Sequence, residues 1–162
     1  MPSETLIGHA RSIRDLTILA AARFSREEAY HVPPSCGNCA IWNVGHLLIV
    51  QEKCILHPFE EEGILPTCYH SLFAAGTSPC SWNGNRPEWD DVVGYLDPAR
   101  TRVEEFLQSG VDLKRPLPEP EITAAGVLLT DLGDSLSFCT MHEAIHLGVL
   151  MTYSHLLCSP SA

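Results

Sequence analysis

Residues 142–146 read His-Glu-Ala-Ile-His. Two histidines four apart on a helix place their rings on one face, one turn from each other. Such a pair can grip a single metal ion through neutral imidazole nitrogens, with bonds of about 2.0–2.1 Å to zinc. Position matters as much as spacing. His142 and His146 fall on the apolar stripe of the clearest helical pattern in the chain, made by Leu132, Leu136, Cys139, Ile145, Val149, Tyr153 and Leu156. A polar ring facing a core costs free energy unless its nitrogens are bonded, and an ion meets that demand. Two ordinary hydrogen-bonded rings are the alternative. A third ring is available in Trp42-Asn43-Val44-Gly45-His46-Leu47-Leu48. There His46 shares one side of a second helix with Trp42, Ile49, Val50 and Lys53. Rings from two helices meeting inside a bundle are a known way to build a metal site.

The same five residues literally match the H-E-x-x-H pattern of zinc proteases. That reading is set aside. No Asp or Glu follows His146 to act as a downstream ligand, and Thr152 stands where the extended protease pattern has histidine. Glu143 is a candidate general base beside a metal centre. It lies about 100° around the helix from His142, so facing solvent or pairing with another helix is favoured. Tyr153, two turns past His146, is a candidate pocket residue, with a core tyrosine as the plainer reading. No catalytic residue is assigned beyond these two candidates. Cys36-Gly37-Asn38-Cys39 has C-x-x-C form. It lacks the βαβ setting of a redox motif and the second pair of a zinc knuckle, so no role is assigned to Cys36 and Cys39. His9, His31, His57, His70 and His155 read as surface residues or as neighbours that support the ligands, with His57 and His70 placed to overhang the mouth of the bundle.

These side chains have to be carried by helices. The periodicity predicts one over Glu4–Arg23, on a face of Leu6, Ile13, Leu16, Leu19, Ala20 and Phe24. Ser25-Arg26-Glu27-Glu28 has capping-box form, and Pro33-Pro34 ends helicity. A second helix is expected from Cys39 to His57 with Asn38 as its cap. Residues 66–75 form a short helix in this reading, and 76–87 a loop. A third helical stretch starts near Glu88, breaks near Asp97, and continues to Gln108 with Pro98 in its first turn. Residues 111–129, with Pro116, Pro118 and Pro120, read as an extended connection. The last helix runs from a cap at Thr130 or Asp131 to about Leu157. No segment looks strand-like enough to build a sheet. The fold class is therefore all-α, an up-down four-helix bundle, and residues 1–162 form one domain.

Bulk composition narrows the function classes. The chain has 162 residues, suited to one core. A formal net charge of −10 and no basic run argue against a nucleic-acid partner. The longest apolar stretches fall short of the ~20 residues that a membrane span needs. The seven cysteines are an odd number and no signal-peptide core precedes them, so reduced thiols in a cytoplasmic protein are expected.

Ile41-Trp42-Asn43-Val44-Gly45-His46-Leu47-Leu48 and His142-Glu143-Ala144-Ile145-His146-Leu147-Gly148, about a hundred residues apart, resemble the DinB/YfiT-like superfamily of metal-binding four-helix bundles. The loop Ala75-Gly76-Thr77-Ser78-Pro79 is similar to that of one branch. The resemblance covers about residues 3 to 158. It implies a DinB-like metalloenzyme fold in which His46, His142 and His146 hold one divalent ion, nickel or zinc, with water as an additional ligand. It also implies a homodimer and a small-molecule substrate. Some relatives are thiol S-transferases or isomerases that use low-molecular-weight thiols, so S-transfer or metal-assisted hydrolysis is the implied chemistry. A non-catalytic, stress-related metal- or ligand-binding bundle is the alternative.

Overall fold

A computed structural model describes residues 3–158. The chain is mostly helical. The long elements are α1 (Ser3–Ala21), α3 (Ala40–Gln51), α6 (Leu96–Gln108) and α7 (Leu132–Cys158). Short helices α2 (Arg26–Tyr30), α4 (Cys68–Phe73) and α5 (Trp89–Gly94) fill the connections. α7 packs along both α1 and α3, and α1 also meets α6. Among the described residues, no helix is long and apolar enough to cross a membrane.

One departure from the expected all-α chain is a two-stranded antiparallel sheet of β1 (Pro116–Ile122) and β2 (Leu128–Asp131). The segment is rich in proline, which argues against a strand in the middle of a sheet. Proline is tolerated at an edge, and a two-stranded sheet consists only of edges. The register shifts between Pro116 and Glu121, so the prolines interrupt the ladder where pairing is already irregular. Gly126, with φ of 77°, closes the turn, its N–H donating to Thr123 O at 2.8 Å. Leu117 and Leu129 turn inward and join Phe59, Phe106 and Leu132 in the core.

The buried faces of α1 and α7 also differ from the apolar stripes read in the sequence. Leu16 and Leu19 of α1 are exposed, while Arg14 and Thr17 are buried. Ile145 and Leu156 of α7 are exposed, while Glu143, Leu147, Leu150 and Ser154 are buried. One contact joins the two buried faces. Arg14 donates to Glu143 twice, Nε to Oε1 at 2.7 Å and Nη2 to Oε2 at 2.9 Å. Its remaining donors reach Leu96 O at 3.0 Å and Gln51 Oε1 at 3.1 Å. A buried charge is stable only when paired and hydrogen-bonded, and this pair turns a polar residue on each helix towards the other.

The second long helix is shorter than expected. Cys39, not Asn38, is its N-cap residue, and no side chain caps it. The α-helical pattern stops at Gln51, and a π-helical turn over Glu52–Leu56 follows, then a 3₁₀ turn over His57–Phe59. α2 carries the capping box: Glu28 N donates to Ser25 Oγ at 3.2 Å, and Ser25 N to Glu28 Oε2 at 2.8 Å. The third helical stretch breaks at Tyr95, between α5 and α6, with Pro98 inside the first turn of α6.

Candidate metal centre

α3 and α7 bring His46, His142 and His146 together. One ring nitrogen from each lies within 4.8 Å of the others. Ring centroids are 5.2 Å apart from His46 to His142, 5.2 Å from His46 to His146, and 4.6 Å between His142 and His146. His46 is only 7% exposed. The two α7 histidines are half-buried, which leaves the cluster approachable from their side.

Two of the three rings are held by hydrogen bonds that decide which nitrogen faces inward. His46 Nδ1 donates to the carbonyl of Phe73 at 2.7 Å. His146 Nδ1 lies 2.7 Å from Asn43 Oδ1. Asn43 Nδ2 already donates to Cys39 O at 2.8 Å, so Oδ1 faces His146 and accepts from it. A neutral imidazole that donates from Nδ1 keeps a lone pair on Nε2. Outer partners that fix the tautomer in this way are the usual support of metal-ligating histidines. Trp42 stacks on His46 at 4.6 Å and 11°, and Phe138 on His142 at 5.5 Å and 27°. The donor set therefore fits a divalent ion: three imidazoles with one nitrogen of each within 4.8 Å of the others, two of them oriented by hydrogen bonds before any ion arrives.

The local sequence explains this placement. Asn43 and His46 are three apart on α3, so one face presents both a ring of the cluster and the residue that orients another ring on α7. Gly45 permits the close approach of α4, since a Cβ there would stand 2.5 Å from the Phe73 ring. That approach brings the Phe73 carbonyl to His46. A glycine directly before His46 was the one sequence signal for this contact; nothing marked Phe73 itself.

Burial lowers the proton affinity of all three rings. His46 lies below the ordinary value. Burial and then the neighbouring His46 pull His142 down to about 4, and burial with both neighbours pulls His146 down to about 3. The rings are thus neutral at pH 7 and competent as ligands. A histidine lowered on folding stabilises the fold above its unfolded pKa, and that contribution is lost as pH falls through the folded value. Metal-free protein should therefore lose stability as pH drops from about 6.5, the unfolded value, towards about 4. The His142→Gln/His146→Gln variant should show a shallower decline. Urea denaturation in chelator across this range checks both slopes.

Neither candidate catalytic residue belongs to the histidine cluster. Glu143 commits both carboxylate oxygens to Arg14. Tyr153 is buried in the apolar core. Burial and the Cys36 thiol raise its hydroxyl pKa well above the ordinary value. The Cys36–Cys39 pair divides between an exposed and a buried thiol. A cavity of about 880 Å³ lies beside α4 and α5, lined by Tyr69, Leu72, Arg86, Asp91 and Tyr95, and none of the three histidines borders it.

No curated protein matches the chain. The family model described as DinB superfamily matches residues 9–150, a span that contains all three histidines, the whole of α3, and α7 as far as Leu150. The chain belongs to the DinB superfamily.

Proposed function

We propose that this protein is a divalent-metal-dependent enzyme of the four-helix DinB type, with His46, His142 and His146 as the ligands of one nickel or zinc ion. The observation that carries this reading is the pair of oriented imidazoles, His46 on Phe73 O and His146 on Asn43 Oδ1. A purely structural tetrahedral zinc site closes its coordination with four protein ligands. Among the described residues three side chains converge here, so an ion held by them would have room for a small molecule.

An ion held by His46, His142 and His146 would supply Lewis acidity and make a thiol or water beside it more acidic. The protein's own groups favour the thiol. Glu143, the base that hydrolysis in an H-E-x-x-H site would use, is held by Arg14. A thiol needs less help, since its pKa of about 8.5 is close to neutrality. S-transfer from a low-molecular-weight thiol to an electrophile is thus the preferred reaction, ahead of hydrolysis. His46, stacked on Trp42, would fix the inner ligand, while the half-buried His142 and His146 border the approach. A homodimer in the cytoplasm is the proposed setting.

A panel of thiols and electrophiles tested with metal-loaded protein checks the reading. The expected result is turnover that chelator removes and that His146→Ala lacks. Saturable binding without turnover would favour instead a non-catalytic metal- or ligand-binding bundle.

A further inference from the structure

A second cluster of ligating side chains lies where α3 ends. Glu52, His57 and His70 bring one carboxylate oxygen and two ring nitrogens within 4.8 Å of one another. Glu52 Oε2 stands 3.9 Å from His57 Nε2. That is too long for a hydrogen bond and shorter than two metal–ligand bonds of about 2.0–2.2 Å laid end to end. The His57 and His70 rings are 5.6 Å apart, tilted by 38°.

The backbone is shaped to make this cluster. In the π-helical turn His57 N–H donates to Glu52 O, a five-residue step. The wider turn brings residues five apart towards one side, where an α-helix would separate them by about 140°. Glu52 is 3% exposed and firmly held. Its Oε1 accepts from Ile64 N at 2.6 Å and from Leu65 N at 3.0 Å. Gly63 makes room for it, since a Cβ there would stand 2.3 Å from Oε2. The loop thus anchors a buried carboxylate by one oxygen and leaves the other facing two imidazoles. No Lys or Arg forms an ion pair with Glu52 among the described residues.

We propose that Glu52, His57 and His70 form a second divalent-cation site. One carboxylate and two imidazoles suit zinc, cobalt, nickel or iron(II). An ion there would tie the end of α3 to α4. α4 carries His70 and, three residues on, the Phe73 carbonyl that orients His46. The second site would therefore brace the element that supports the first, without contributing a ligand to it.

The test is a cobalt(II) and zinc titration of tag-free full-length protein, following ions bound per chain and the visible cobalt spectrum. The parent should bind two ions. His57→Ala/His70→Ala should bind one and keep the cobalt bands of the three-His centre. Glu52→Gln keeps an oxygen for Ile64 and Leu65 while removing the charge, and should likewise lose one ion. His57 is exposed and His70 half-buried, so the double variant should keep the parent's circular dichroism. Equal ion counts in the parent and the folded double variant would overturn the second site. Loss of an ion on His46→Ala reports on the three-His centre separately, so failure of one site is distinguishable from failure of the other.

Discussion

Glu143→Leu should destabilise the protein by about 3–5 kcal/mol, the cost of stranding one partner of a buried ion pair. Arg14 is 2% exposed and would keep its charge with only Leu96 O and Gln51 Oε1 as acceptors. Arg14→Met should cost a similar amount, since it leaves the Glu143 carboxylate buried beside α1. The double variant Arg14→Met/Glu143→Leu should recover much of the loss, because an apolar pair of similar volume often replaces a buried ion pair at little cost. Urea denaturation of the four proteins completes the cycle. Single-variant losses below about 1 kcal/mol, as for an exposed pair, would contradict the assigned role. The same variants separate two readings of the H-E-x-x-H match. A general base would show its loss in turnover with stability intact. A clasp between α1 and α7 shows it in stability.

The second large effect concerns the ion. A ligand present at 100 times its Kd stabilises the state that binds it by about 2.7 kcal/mol. His142→Ala and His146→Ala should each lose that much zinc-dependent stabilisation from the three-His centre, while their metal-free stability changes far less. Asn43→Leu should behave between these and the parent. It keeps all three ligands but removes the acceptor that holds His146 Nδ1, a kind of change that typically weakens metal affinity 10–100-fold. Thermal denaturation with buffered zinc, beside chelator controls, reads these differences. An Asn43→Leu protein with parental zinc affinity would mean that the His146–Asn43 contact does not prepare the ligand.

The three clustered histidines were legible because they combine a helical spacing with an unfavourable place for an unbonded polar group. His142 and His146 are four apart, and His46 lies between Val44 and Leu48, both fully buried. The neighbours that orient them were less visible. Asn43 could be singled out but not given a partner, since its contact with His146 spans 103 residues. Phe73 acts through its carbonyl, which no side-chain pattern reveals. Glu143 is the sharper lesson. Hydrophobic periodicity weights α7 towards Ile145 and Leu156, both exposed. The helix instead turns its glutamate inward to meet Arg14, and α1 turns its arginine to match. Pairing with another helix is one of the two readings the sequence offers for Glu143, but its partner Arg14 lies 129 residues away and no local pattern names it. The hairpin escaped for a related reason. Proline at alternate positions disfavours a central strand and is silent about an isolated two-stranded edge. The π turn at Glu52 leaves no periodic trace either, because it is five residues long.

The measurement that tests the central claim most directly is the metal content of purified, tag-free protein beside its His46→Ala variant, both reloaded with nickel or zinc and dialysed. His46 is the only one of the three histidines that α3 contributes, so its loss would remove a cross-helix metal bond while leaving the α7 pair in place. A centre built by both helices predicts one ion fewer per chain in the variant than in the parent. Equal metal content in the two proteins would contradict it, and the three histidines would then be hydrogen-bonded rings of the protein interior.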